Sequence, residues 1–134
     1  MGKLLRHAME KLFEVSITCG AHRLVLSTKL HALKVPRLSA LPDGRWANRT
    51  ERETWMATPA PHLCPVICSN KWGWFVLMPF ARPLSDQEFL AHTLQDAQTP
   101  SNPFLPDPAH GDFKRSNFGM LDGRIVKIDY GGAR

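Results

Sequence analysis

The chain has 134 residues, 43% hydrophobic and 22% charged, which suits one compact core and excludes overall disorder. The formal net charge is +5, but residues 1–53 hold ten Lys/Arg against five Asp/Glu while residues 54–134 hold seven against seven. The excess is therefore confined to the first part, where the basic residues are dispersed and few aromatics lie between them. That pattern argues against nucleic acid and leaves a phosphate-bearing ligand or an acidic protein as the partner it would attract.

The longest apolar stretch, Trp72 to Phe80, falls well short of the ~20 residues a bilayer span requires. Lys3, Arg6 and Glu10 interrupt the N-terminus where a signal peptide needs an apolar run. Three cysteines, Cys19, Cys64 and Cys68, are an odd count without framework spacing, as expected of reduced thiols. A soluble, cytoplasmic protein without disulfides is predicted.

In chain order, Leu4, Leu5, Met9, Leu12 and Phe13 have the spacing of a short helix over 3–13. The alternation then changes to that of strands: Phe13 to Thr18, Arg23 to Ser27, and Leu30 to Pro36, three antiparallel strands. Leu41-Pro42-Asp43-Gly44-Arg45 reads as a turn, followed by a short helix capped by Asn48 or Thr50 and closed by Pro59-Ala60-Pro61. Two more strands are expected over Cys64–Cys68 and Trp74–Met78, with Trp72, Trp74, Phe75 and Phe80 filling the core.

Ser85-Asp86-Gln87-Glu88 is a capping-box signature opening a helix that extends to about Gln98. Residues 99–109 contain four prolines and predict an extended loop. Phe118 to Leu121, Asp122-Gly123-Arg124 and Ile125 to Asp129 predict a β-hairpin. His62, Cys64 and Cys68 are three metal-capable side chains without a C-x-x-C knuckle, a weak zinc signal.

The most informative stretch is His110-Gly111-Asp112-Phe113-Lys114-Arg115-Ser116-Asn117, followed by the hairpin and Asp129-Tyr130-Gly131. It resembles the catalytic loop and metal-binding turn of the protein kinase-like superfamily, which includes protein kinases and aminoglycoside phosphotransferases: H-x-D-x-K-x-x-N, a hairpin, then D-F-G. The resemblance implies Asp112 as the base toward an acceptor hydroxyl and Lys114 as a cation near the γ-phosphate. It also implies Asn117 and Asp129 as oxygen ligands of Mg²⁺, with ATP as cofactor.

Upstream, His31-Ala32-Leu33-Lys34 resembles the strand bearing the nucleotide-binding lysine, with Glu51 or Glu53 in the next helix as its ion partner. Met78 to Pro83 corresponds to the hinge. The glycine-rich loop is represented by Thr18-x-Gly20-x-x-Arg23-x-Val25, which keeps one glycine, Gly20, of three.

The resulting expectation is an α+β fold: a single kinase-like domain over 1–134. Residues 1–80 would form a small lobe with a mostly antiparallel five-stranded sheet and one helix, and 81–134 a reduced, rudimentary large lobe. The motif set ends without an activation segment. Two functions fit: a minimal ATP- and Mg²⁺-dependent phosphotransferase acting on a hydroxyl, or a catalytically weak or inactive scaffold, of virus or mobile-element type, that binds and inhibits or modulates a host macromolecule.

Overall fold

Five antiparallel strands and the 17-residue helix packed on them dominate the computed structural model, which describes residues 2–4, 15–96 and 115–131. Strands β1 (Ser16–Cys19), β2 (Arg23–Ser27) and β3 (His31–Pro36) form a meander. β3 then pairs with β5 (Val76–Pro79), and β4 (Cys68–Ser69) closes the edge, giving the order β1-β2-β3-β5-β4. Alternation predicts this sheet well because one of its faces is buried, which fixes the register of each strand. The expected strand over Cys64–Cys68 shrinks to Cys68–Ser69. Its first part bonds elsewhere: the Cys64 amide donates to the Lys127 carbonyl at 2.8 Å, and the Lys127 amide to the His62 carbonyl at 2.8 Å.

Helix α1 (Leu41–Ala57) corrects the sequence reading most. The segment expected to be a turn, Leu41–Arg45, forms its first five residues. Pro42 lies where a helix has no N–H to lose, and Asp43 lies where negative charge is favoured. Gly44 is required by close approach, since a Cβ there would sit 2.5 Å from the His22 carbonyl oxygen and 2.6 Å from the Pro36 side chain. Asn48 and Thr50 are no caps: Asn48 is buried mid-helix, and the Thr50 hydroxyl donates to the Trp46 carbonyl. The buried stripe is Gly44, Ala47, Asn48 and Glu51, small and polar residues at helical spacing, which apolar periodicity does not register.

Helix α2 (Asp86–Asp96) starts as its signature predicts. The Glu88 amide donates to the Ser85 hydroxyl at 3.1 Å, and the Ser85 amide to Glu88 Oε1 at 2.9 Å. The predicted hairpin is formed by β7 (Phe118–Leu121) and β8 (Arg124–Lys127), with φ of 51° at Asp122 and 79° at Gly123. Such a turn follows the twist of its strands. With β6 (Arg82–Pro83) the hairpin makes a three-stranded sheet.

The main core joins the two sheets. Val76 and Met78 pack with Leu63, Cys64, Leu121, Val126 and Tyr130, and Trp55 of α1 covers them. Trp72 and Trp74 do not fill it. They are 54% and 46% exposed on the β4–β5 connection, under the cations of Lys71 and Arg45. Among the described residues, no helix is long and apolar enough to cross a membrane. The expected helix over 3–13 falls largely, and the proline loop over 99–109 wholly, outside the described residues.

Candidate functional site

Period-two alternation places Ala32 and Lys34 on the same face of β3, and that face looks into a cleft of about 420 Å³. This is within the usual range for a small-molecule site. The cleft lining combines apolar Val25, Ala32 and Met78, and Pro79, Phe80 and Ala81 of the expected hinge, with polar Arg23, Lys34, Asn117 and Asp129, and Gly20 borders it at the β1–β2 connection. Val25 stands directly across from Lys34 in the β2–β3 register.

Four charged side chains hold the polar lining together. Lys34 Nζ donates to both Glu51 oxygens, at 2.8 and 2.9 Å, and to the Ile128 carbonyl. Arg23 Nη1 donates to Glu51 Oε1 and to Asn48 Oδ1, the latter at 3.0 Å, while its Nη2 donates to Asp129 Oδ1 at 2.9 Å. Asn48 Nδ2 in turn donates to the Lys34 and Gly73 carbonyls. Glu51 is fully buried, Lys34 and Arg23 nearly so, and the Asp129 side chain is 51% exposed toward the cleft. Two cations therefore meet two carboxylates, as buried charges must. Burial alone would lower the Arg23 pKa, but the charges of Glu51 and Asp129 outweigh it and the value ends above the ordinary one.

Of the two candidate partners of Lys34, Glu51 makes the pair. Glu53 is exposed, because two residues along a helix turn the side chain about 200° away. Asn117, buried, accepts the Ile128 amide at its carbonyl at 2.8 Å and so lies beside Asp129. His110, Asp112 and Lys114 lie outside the described residues. Two contributors escaped sequence reasoning. In sequence Asn48 reads as a possible cap and Arg23 as a residue in the place of a glycine; the available signal is a lone basic residue opening the apolar run Leu24-Val25-Leu26.

The groups next to the site are inert. The Tyr130 hydroxyl donates to the Cys64 carbonyl at 2.8 Å, and burial pushes its pKa well up. Burial likewise pushes the Cys64 thiol up to about 11, far from the thiolate that a nucleophile or a zinc ligand needs. No group of three or more His, Cys, Asp or Glu that would hold a metal occurs among the described residues.

Asn117 and Asp129 are the oxygen pair that would hold Mg²⁺, with phosphate oxygens and waters completing its six ligands. Here one Asp129 oxygen accepts the Arg23 guanidinium at 2.9 Å, so metal and guanidinium would compete for that carboxylate.

No protein-family model matches the chain, and no curated protein does. Among solved structures, the chain is similar to an aminoglycoside phosphotransferase in the streptomycin-ATP-APH(2")-IIa ternary complex. The likeness covers 98% of this chain and 72% of that one, with a TM-score of 0.50 and 12% identity. At that identity the likeness is one of fold: an α+β, kinase-like architecture with the five-stranded antiparallel sheet and main helix of a small lobe.

Proposed function

We propose that the chain is a minimal kinase-like phosphotransferase that takes ATP into the cleft and passes its γ-phosphoryl group to a hydroxyl acceptor. One observation carries this reading: Lys34, Asn117 and Asp129, far apart in sequence, line one cleft together with apolar Val25, Ala32 and Met78, and the buried Glu51 pairs with Lys34. The base would lie against Val25, Ala32 and Met78, and the phosphates would extend toward Lys34, held rigid by Glu51. Asp112 accepts the hydroxyl proton as the acceptor oxygen bonds to phosphorus, Lys114 offsets charge on the transferring group, and ADP leaves. The whole of 1–134 works as one domain, with 81–134 as its reduced large lobe.

The test is ATP binding followed by thermal shift, with phosphate release to water as the activity readout. We expect Asp112→Ala to bind ATP normally and to lose activity by roughly 10²–10⁴-fold, as removal of a general base does. A wild-type chain that neither gains stability with ATP nor releases phosphate overturns the reading.

The exposure of Trp72 and Trp74 favours a second reading, a scaffold that docks an acidic host protein through this basic, aromatic surface. A stoichiometric partner kept by Asp112→Ala but lost in Trp72→Ala and Trp74→Ala would select it.

A further inference from the structure

Arg23 is one of ten basic residues in the first 53, and its place in the cleft sets it apart from the others. It is 8% exposed, and its guanidinium spans Asn48 on α1, Glu51 on α1 and Asp129 after β8. We propose that Arg23 is the resident cation of the phosphate end, standing at Asp129 where a divalent metal would otherwise stand, so that the cleft binds a nucleoside triphosphate without metal. This rests on the nucleotide reading above and deepens it.

Three features support the assignment. The first is charge. Among the described residues, Arg23 and Lys34 face Glu51 and Asp129, and a divalent ion arriving at Asp129 would be repelled by a guanidinium 2.9 Å from the same carboxylate. An arginine cannot lose its proton to relieve that repulsion.

The second is fixation of the β1–β2 connection that carries Arg23. The Gly20 amide donates to the Arg23 carbonyl at 2.8 Å, Arg37 Nη1 to the Gly20 carbonyl at 2.9 Å, and the Arg37 amide to the His22 carbonyl at 2.9 Å. Gly44 of α1 packs directly under His22. These bonds fix the backbone from which the Arg23 side chain starts, and withdrawing the guanidinium would break its own three bonds.

The third is donor capacity. A guanidinium has five N–H donors, and the bonds to Asn48, Glu51 and Asp129 use three. A phosphate oxygen placed between Arg23 and Lys34 would meet two cations, one of them capable of further charge-assisted bonds. With one glycine in place of three, side chains keep the backbone of the connection from approaching phosphates closely, and a side-chain cation supplies a contact in its place.

The experiment is calorimetric titration of the intact chain with ATP, once in EDTA and once in excess Mg²⁺. We expect the two affinities to agree within roughly threefold. Arg23→Gln should lose at least about tenfold in EDTA, the effect of removing one charge-assisted contact, and regain affinity when Mg²⁺ is supplied. Arg23→Lys keeps the charge and should retain metal-free binding, which preserves the test if the Gln variant fails to fold. Wild-type binding that collapses in EDTA overturns the inference while leaving the nucleotide reading intact. So does Arg23→Gln binding as tightly as wild type in EDTA. Absence of ATP binding in both conditions overturns the nucleotide reading and this inference with it.

Discussion

Two ion-paired groups use the same side-chain chemistry in opposite settings. Around the cleft, Arg23, Lys34 and Glu51 are shut away from water, and only Asp129 reaches it. At the start of α2, Arg82 and Glu88 make an equally short pair, 2.8 Å from Nη2 to Oε2, in the solvent. The buried group ties β2, β3, α1 and the turn after β8 into one unit, and Arg23, Lys34 and Glu51 depend on one another because a lone charge there has no water to fall back on. The exposed pair only trims the entry of one helix, and losing it returns both charges to solvent. Burial, rather than distance, decides which of them governs the fold.

Removing Glu51 should break that contrast most. Glu51→Ala leaves Arg23 and Lys34 buried without their shared carboxylate, and we expect a loss of about 3–5 kcal/mol in unfolding free energy, read by urea denaturation. Glu53→Ala, two residues away on the exposed face, should stay within about 0.5 kcal/mol. Comparable losses in the two variants would show that the buried cluster has no special weight. Next in size is Tyr130→Phe. It takes the hydroxyl from the buried Cys64 carbonyl and should cost about 1–3 kcal/mol, the penalty of an unsatisfied buried acceptor.

Legibility in the sequence follows the same division. The β1–β3 meander, β5, the hairpin and the α2 capping box were readable because their signals are local: alternation, a two-residue turn, and a Ser and Glu three apart. The strand expected over Cys64–Cys68 was not, because Cys64 bonds to the distant Lys127. Lys34 was readable through its strand pattern. Glu51 was not separable from Glu53, since the choice depends on where α1 begins, and its buried stripe of Gly44, Ala47, Asn48 and Glu51 carries no apolar signature. Arg23 was legible only as a departure from a glycine pattern, because its three partners lie 25, 28 and 106 residues away. Trp72 and Trp74 misled in the other direction. Their size argued for the core, yet they rest on the surface against Lys71 and Arg45, where cation–π contact accommodates an exposed ring.

At the exposed site the expected effects are smaller and local. Ser85→Ala removes the hydroxyl that accepts the Glu88 amide and should cost about 1 kcal/mol, in the range of lost N-caps. Faster amide exchange should be confined to the first turn of α2. Exchange that accelerates in β3 as well would mean that the two ion-paired groups are coupled.

The smallest effect is a pH dependence. The Arg82 side chain, with the Ser85 amide second, holds the Glu88 carboxyl down from its ordinary 4.5 to about 2. A carboxylate whose pKa is lowered on folding contributes its full stabilisation above the unfolded value. It loses that contribution as the pH falls toward the folded one. The start of α2 should therefore be indifferent to pH above about 5 and loosen between 4.5 and 2. Salt should weaken the dependence, because the pair lies in solvent. An NMR titration of Glu88 reads this directly. A midpoint near 4.5 would mean that the Arg82 pair does not persist in solution, and a midpoint near 2 that salt does not move would place the pair among the buried kind.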